Sequence, residues 1–238
     1  MVTYGLQPGN DWQAIELQPN RHGGHDFKVK QRVSPKMDSK QPNSALSPQP
    51  SAFSLSLPGL HNVLNALAGL IVADQQGIEP GRAAEILSRF RGVNRRFELK
   101  GEVNGMTVID DYAHHPTEIR ATLAAARSRF GDRPIWAVFQ PHTFSRTVAL
   151  LDDFAGAFDQ ADHVIIVDIF PSREVDDGRV HSRDLARRMA HPDARYLGSL
   201  RDAADYLVER LAPPAVLLTL GAGDGYQVGE WVLEKLNR

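Results

Sequence analysis

The stretch VIDDYAHHPTEIR, residues 108–120, decides how the rest of the chain is read. Val108 and Ile109 end a short apolar run of the kind a buried strand carries. Pro116, with Thr117 and Glu118 behind it, opens a helix, because proline lacks the N–H that a first helical turn leaves unbonded anyway. Asp110, Asp111, Tyr112, His114 and His115 fall between the two, on the predicted connecting loop. Parallel-sheet proteins gather ligand chemistry at the carboxyl ends of their strands. A capped turn explains one acid or one histidine, whereas five such residues in six positions point to a site.

Outward from this stretch the chain alternates. RFELKGEVNGMTVID (96–110) is a hairpin around Asn104-Gly105, the dipeptide that supplies the positive φ values of a tight turn. Downstream we expect helix 116–130, strand 134–139, helix 147–158, strand 163–169, helix 182–190, strand 194–197, helix 200–211, strand 215–220 and helix 226–236. The strand runs are continuously apolar, as parallel strands covered by helices on both faces must be, and right-handed crossovers follow. Polar clusters close the central strands: Asp110 to His115, then Gln140, His142, Ser145 and Arg146, then Asp168, Arg173 and Glu174, then GAGD at 221–224. All belong to one edge of the sheet. GAGD by itself reads as turn geometry before phosphate binding. No GxxxxGK[ST] motif is present, so any ATP chemistry takes its phosphate-gripping lysine from elsewhere.

Upstream the texture differs. Asp11 to Leu17 and Phe27 to Val33 read as short strands, and 34–50, rich in Pro, Ser, Asn and Gln, as a loop or insertion expected to be mobile. FSLSL (53–57) alternates like a half-buried strand. HNVLNALAGLIVADQQG then predicts a helix with Val63, Leu67, Leu70 and Ile71 on one face, widened by Leu64 and Ala68. Asn62 at its start serves either as a cap or as a ligand contact. A second helix starts at Pro80, turns Ala83, Ile86, Leu87 and Phe90 inward, and ends near Gly92. One strand and two helices are too little for a self-sufficient domain, so a preceding part is expected. His22 and His25 lack a second ligand pair and read as loop histidines, not a metal site.

Composition narrows the classes. A chain of 238 residues with 42% apolar residues can bury a real core, and a formal charge of −2 gives no reason to expect nucleic acid or an anionic membrane as partner. The absence of cysteine excludes disulfides and thiolate chemistry and fits a reducing compartment. No apolar run approaches the ~20 residues that cross a bilayer. We expect a cytoplasmic location.

GLHNVLNALAG (59–69), FRGVNRRFE (90–98), IDDYAHHPTEI (109–119), FQPHTFSRT (139–147) and LGAGD (220–224) together resemble the Mur ligase family, ATP-dependent amide ligases of peptidoglycan synthesis. The order of all five and the PHTFSRT segment favour the branch that joins L-alanine to UDP-N-acetylmuramate over the murein tripeptide branch. The resemblance spans about 53–238, with TYG at 3–5 as a further fragment. It implies an α/β fold with a Rossmann-like, mostly parallel sheet at 93–238, the family's C-terminal domain. Residues 1–92 become the helical end of a P-loop-type central ATPase domain, and missing N-terminal domains are implied. It further implies ATP and Mg²⁺ as cofactors, with the main phosphate and metal ligands outside this chain, and little turnover by the chain alone. By resemblance, His61, Asn62 and Asn65 contribute nucleotide contacts, Arg96 and Asp111 reach the ribose, and His114 or His115 approaches the phosphate or the incoming amine. Arg146, with His142, holds the alanine carboxylate. Asp110 and Asp111 remain interchangeable at this point. Arg95 reads as a solvated charge, Arg173 and Glu174 as a surface pair or substrate contact, and His142 as a possible neighbour of His115. A non-catalytic nucleotide-binding or assembly module is the alternative reading.

Overall fold

A computed structural model describes residues 1–32 and 51–237, and the segment 34–50 read above as a loop lies outside the described residues. The chain divides into two compact units, Met1–Arg91 and Gly92–Arg238.

In the first unit, β1 (Tyr4–Gly5), β2 (Trp12–Pro19), β3 (His25–Gln31) and β4 (Ser51–Leu55) form a sheet in that order, with β1 parallel to β2 and the rest antiparallel. The two helices α1 (Leu60–Gln75) and α2 (Pro80–Arg89) follow. FSLSL is therefore not an isolated strand: Phe53 pairs with Phe27 across β3, their rings stack at 5.8 Å, and Val63, Ala66, Leu67 and Leu70 of α1 join them in one core. On α2, Ala83 is buried and Leu87 half-buried as expected, but Ile86 and Phe90 are exposed. Phe90 is the C-cap, with ψ of 124°, so it has left the helical period that would have turned it inward.

The second unit is a six-stranded sheet. Strands β5 (Glu98–Val103), β6 (Met106–Asp111), β7 (Ile135–Phe139), β8 (His163–Val167), β9 (Ala194–Gly198) and β10 (Ala215–Leu220) stand in the order β5-β6-β10-β7-β8-β9. Only β5 is antiparallel. Asn104 and Gly105, at φ 49° and 81°, make the predicted hairpin turn. Successive residues of each inner strand point to opposite faces, which separates two cores. Ile109, Ile135, Phe139, Ile166 and Leu218 pack with α3 (Pro116–Phe130), α5 (Leu151–Ala155) and α6 (Ser182–Arg188). Val108, Val138, Ile165 and Leu217 pack with α7 (Leu200–Arg210) and α8 (Tyr226–Leu236). One expected element splits: in place of a helix over 147–158 the chain forms α4 (Phe144–Ala149) and α5, broken at Leu150, whose φ of −119° and ψ of 20° leave the helical region. No helix of the described residues is long and apolar enough to cross a membrane.

β10 is inserted between β6 and β7, so the chain segments leaving β6, β7 and β10 emerge side by side at the carboxyl edge. This places the polar clusters together.

Candidate functional site

The site starts at the end of β6. Asp110 and Asp111 are not loop residues; they are the last two of the strand, paired in register with Thr219 and Leu220 of β10, and both are buried. Asp110 accepts hydrogen bonds from Thr219 Oγ1 at 2.7 Å and Arg95 Nε at 2.9 Å. Asp111 accepts from the backbone amides of Ala113 and Phe97, each at 2.8 Å. Both acids thus hold the turn out of the sheet, one by its side-chain partners and one by main-chain amides.

Burial pushes the Asp111 carboxyl up to about 6, against the pull of its two amide donors and of Arg96. A carboxyl whose folded pKa is raised binds a proton in the native state while the unfolded chain has already released it. Its contribution is therefore most favourable at low pH and is lost as pH rises through about 6. From the ordinary aspartate value of 3.8 the full difference is about 3 kcal/mol. Urea unfolding at pH 4 and pH 7 should show Asp111→Asn losing less stability than the wild type over that interval, although Asn keeps only one acceptor and starts lower. Parallel pH slopes for the two proteins would dismiss the effect.

Arg95 is the largest departure from the sequence reading. It is not solvated: its Nη1 and Nη2 donate to the carbonyls of Gly223 and Gly221 at 3.0 and 2.8 Å, its Nε pairs with Asp110, and its guanidinium lies between the rings of Tyr112 and Tyr226 at 5.1 and 4.8 Å. A planar fork with donors on both edges suits this task as a lysine would not. Arg96, by contrast, is half-exposed, 3.8 Å from Glu118 and 5.4 Å from the Tyr112 ring.

The two histidines of AHHPT part company. His115 is exposed and caps α3, its Nδ1 accepting from Thr117 N at 3.3 Å. His114 turns into the site. Its Nδ1 lies 2.9 Å from the Tyr112 carbonyl, and its ring is 5.8 Å from that of His142. The neighbour of His142 is thus His114, not His115. His142 also stacks on Phe170 at 5.7 Å, because a bridge between these two residues extends the sheet past the ends of β7 and β8. One helical turn on, Arg146 Nη1 meets His142 Nδ1 at 3.2 Å. Burial first, then the charges of Arg146 and His114, hold His142 below the usual histidine range, which keeps that nitrogen an acceptor at neutral pH. Glu174 does not pair with Arg173 among the described residues; it accepts from both the amide and the hydroxyl of Ser145 at the start of α4, which hold its carboxyl below the usual range. Tyr112, His114, His142 and Arg146 therefore meet on one surface. Tyr112 belongs to the cluster that the sequence points to, though with no role of its own there, whereas Phe170 carries no motif signal in the sequence.

GAGD serves close packing. Gln140, buried beneath it, donates to Asp224 at 2.7 Å and accepts from Gly225 N at 2.8 Å. A Cβ on Gly223 would lie 2.4 Å from the Gln140 side-chain oxygen and 2.6 Å from the Phe170 ring.

In the first unit, His61, Asn62 and Asn65 occupy the first turns of α1. Asn62 donates to Pro58 O at 2.8 Å and accepts from Asn65 at 3.3 Å, so its side chain closes the helix start from below instead of capping it in the usual sense.

An open, mostly parallel sheet, covered on both faces and carrying its polar groups at the carboxyl edge, defines the larger unit as a Rossmann-like α/β domain. Residues 95–223 match the profile described as "Mur ligase, glutamate ligase domain", and the chain belongs to the Mur ligase family. It is 52% identical over 186 residues to the UDP-N-acetylmuramate–L-alanine ligase of Roseiflexus castenholzii, an alignment covering 78% of this chain and 39% of that one. To the enzyme of the same name from Alkaliphilus metalliredigens it is 42% identical over 235 residues, 98% of this chain and 48% of the relative. The crystal structure of the UDP-N-acetylmuramate-alanine ligase of Thermotoga maritima superposes with a TM-score of 0.74 at 27% identity, covering 99% of this chain and 48% of that one. The chain spans about half the length, or less, of the relatives it matches.

Proposed function

We propose that this chain is the amine-donor half of an ATP-dependent ligase that joins L-alanine to UDP-N-acetylmuramate in peptidoglycan synthesis. The observation that carries the reading is the convergence of Tyr112, His114, His142 and Arg146 on one surface. An amino acid entering an amide-forming site needs its carboxylate held, its ammonium relieved of a proton, and its nitrogen aimed at the acyl carbon. Arg146 offers a planar fork for the carboxylate. His142, neutral and packed between His114 and Phe170, lines the same surface. In this reading His114 receives the proton, which the engagement of its Nδ1 by a carbonyl supports by leaving the other nitrogen for the amine. His115, as a helix cap, has no such part. We assign residues 1–92 to the end of the family's central ATPase domain and 93–238 to its C-terminal domain.

Bound ATP supplies the phosphoryl group that activates the muramic carboxylate. On this chain the residues that fit a nucleotide are the polar first turn of α1 with His61, Asn62 and Asn65, and the half-exposed Arg96 beside Tyr112. Asp111 fits less well than its place in the motif implies: both oxygens already serve main-chain amides, so its part is to hold Phe97 and Ala113 where they are. For Mg²⁺ the fit is poor, since the described residues include no group of three or more His, Asp or Glu able to hold a metal ion.

The test uses a complete ligase whose C-terminal half is this whole chain. Arg146→Ala should raise the KM for L-alanine by about 10- to 100-fold, the equivalent of a charge-assisted hydrogen bond, and leave the KM for ATP within about twofold. Equal effects on both substrates, or none on either, reject the carboxylate role.

A further inference from the structure

We infer that Arg95 is the positioning residue of this site: by clamping Tyr112 it fixes the tautomer of His114. The inference rests on the amine-donor reading above for its meaning, though not for its geometry. Arg95 sits at φ 59°, a backbone conformation that L side chains rarely adopt, so something in its surroundings maintains it. Its carbonyl accepts the Tyr112 amide at 2.6 Å, and its guanidinium lies 5.1 Å from the Tyr112 ring centre. The guanidinium is itself fixed by Asp110 and by the carbonyls of Gly221 and Gly223. Tyr112 is thus gripped at its N–H and at its ring by one residue, and what remains of it, the carbonyl, is the atom that His114 Nδ1 meets at 2.9 Å.

A carbonyl oxygen only accepts, so in neutral His114 the proton is on Nδ1 and the lone pair on Nε2. The Glu118 carboxylate, also an acceptor, lies 3.4 Å from the same Nδ1 and favours the same form, but at a distance too long to hold the ring by itself. At His142 the logic inverts. A guanidinium only donates, so Nδ1, facing Arg146, carries the lone pair and Nε2 the proton. Two imidazoles 5.8 Å apart are therefore held in opposite tautomers, one presenting an acceptor and the other a donor. In the proposed reaction one proton leaves the alanine ammonium for His114 Nε2, the freed nitrogen lone pair attacks the acyl carbon of the phosphoryl-activated carboxylate, the acyl C–O bond breaks with its electron pair going to the departing phosphate, and that phosphate takes up the second proton the nitrogen loses as the amide forms. Arg95 touches none of these atoms, and acts only through Tyr112.

The experiment is ¹⁵N-histidine NMR on the full chain, with no substrate, at a pH where the imidazoles are neutral and with His114 assigned through His114→Gln. Wild type should show His114 as Nδ1–H and His142 as Nε2–H. In Arg95→Gln the Nδ1–H signature of His114 should be lost as the major form while His142 keeps its own. Arg95→Lys should lose it partly, since an ammonium still meets Asp110 but does not reach both carbonyls, and this variant decides the matter if Arg95→Gln does not fold. Nε2–H at His114 in the wild type, or nitrogen shifts at His114 unchanged in a folded Arg95 variant, would overturn the inference. Because the tautomer is read without substrate, it stands or falls separately from the Arg146→Ala assay of the amine-donor reading.

Discussion

Asp110→Ala should destabilise the second unit by about 3–5 kcal/mol, the cost of breaking a buried ion pair from one side. Asp110 is 1% exposed and the Arg95 side chain 25%, so the carboxylate is the deeper partner and its removal leaves a cation without its counter-charge. Two carbonyls remain for the guanidinium, but they are dipoles, and Thr219 is left with only a 3.3 Å contact to Ile109 O. Asp110→Asn keeps shape and one acceptor and should cost about 1–3 kcal/mol. In thermal unfolding the alanine variant should lose on the order of 10 °C. The double change Arg95→Met with Asp110→Leu, apolar and similar in volume, should recover a large share of the loss, which separates charge from packing. A transition for Asp110→Ala within 1 °C of wild type would show that the pair contributes nothing net.

The same pair shows where sequence reading runs out. Elements followed from local signals: Pro116 opens α3, Asn104-Gly105 turns the hairpin, and continuous apolar runs mark β7, β8 and β10. Each is decided by residues within a few positions of one another. The site is decided otherwise. Arg95 meets carbonyls 126 and 128 residues away, and nothing in RR distinguishes the arginine that turns inward from the one that stays half-exposed. The doublet HH poses the same problem. Helix start and strand end fix one histidine as cap and leave the other over the sheet, a difference of one position that periodicity does not resolve. The sequence predicts Asp110 and Asp111 on the loop between the Val108-Ile109 strand end and Pro116; they stay in the strand because each finds donors there. In the first unit the pairing of β4 with β3 joins residues as distant in the chain as Phe27 and Phe53, so the local alternation of FSLSL does not reveal its sheet partner.

Gly221→Ala should cost about 3–5 kcal/mol. Two costs coincide. Gly221 has φ of 140°, a region that side-chain-bearing residues enter at about 1–3 kcal/mol. A Cβ there would also lie 2.7 Å from the Gln140 carbonyl oxygen, which is backbone and cannot swing aside, and overpacking of this kind costs about 1–3 kcal/mol more. Neither neighbour can yield cheaply: Gly221 N donates to Asp111 O at 3.1 Å, Gln140 N donates to Leu220 O at 3.0 Å, and Gly221 O is held by Arg95. Any shift that relieves the contact must therefore move β10 against β6 or β7, or release Arg95. Gly131 supplies the control, because it too has a positive φ, 59°, but nothing lies within 4 Å of its Cβ position. Gly131→Ala should lose only the conformational part, about 1 kcal/mol. Urea unfolding of the two variants side by side reads the difference directly. If Gly221→Ala is no less stable than Gly131→Ala, the close approach of the GAGD turn to β7 is not what holds this edge together. If the gap is found, the sheet's carboxyl edge is rigid at the position where Arg95 takes its grip, and the placement of Tyr112 and His114 inherits that rigidity.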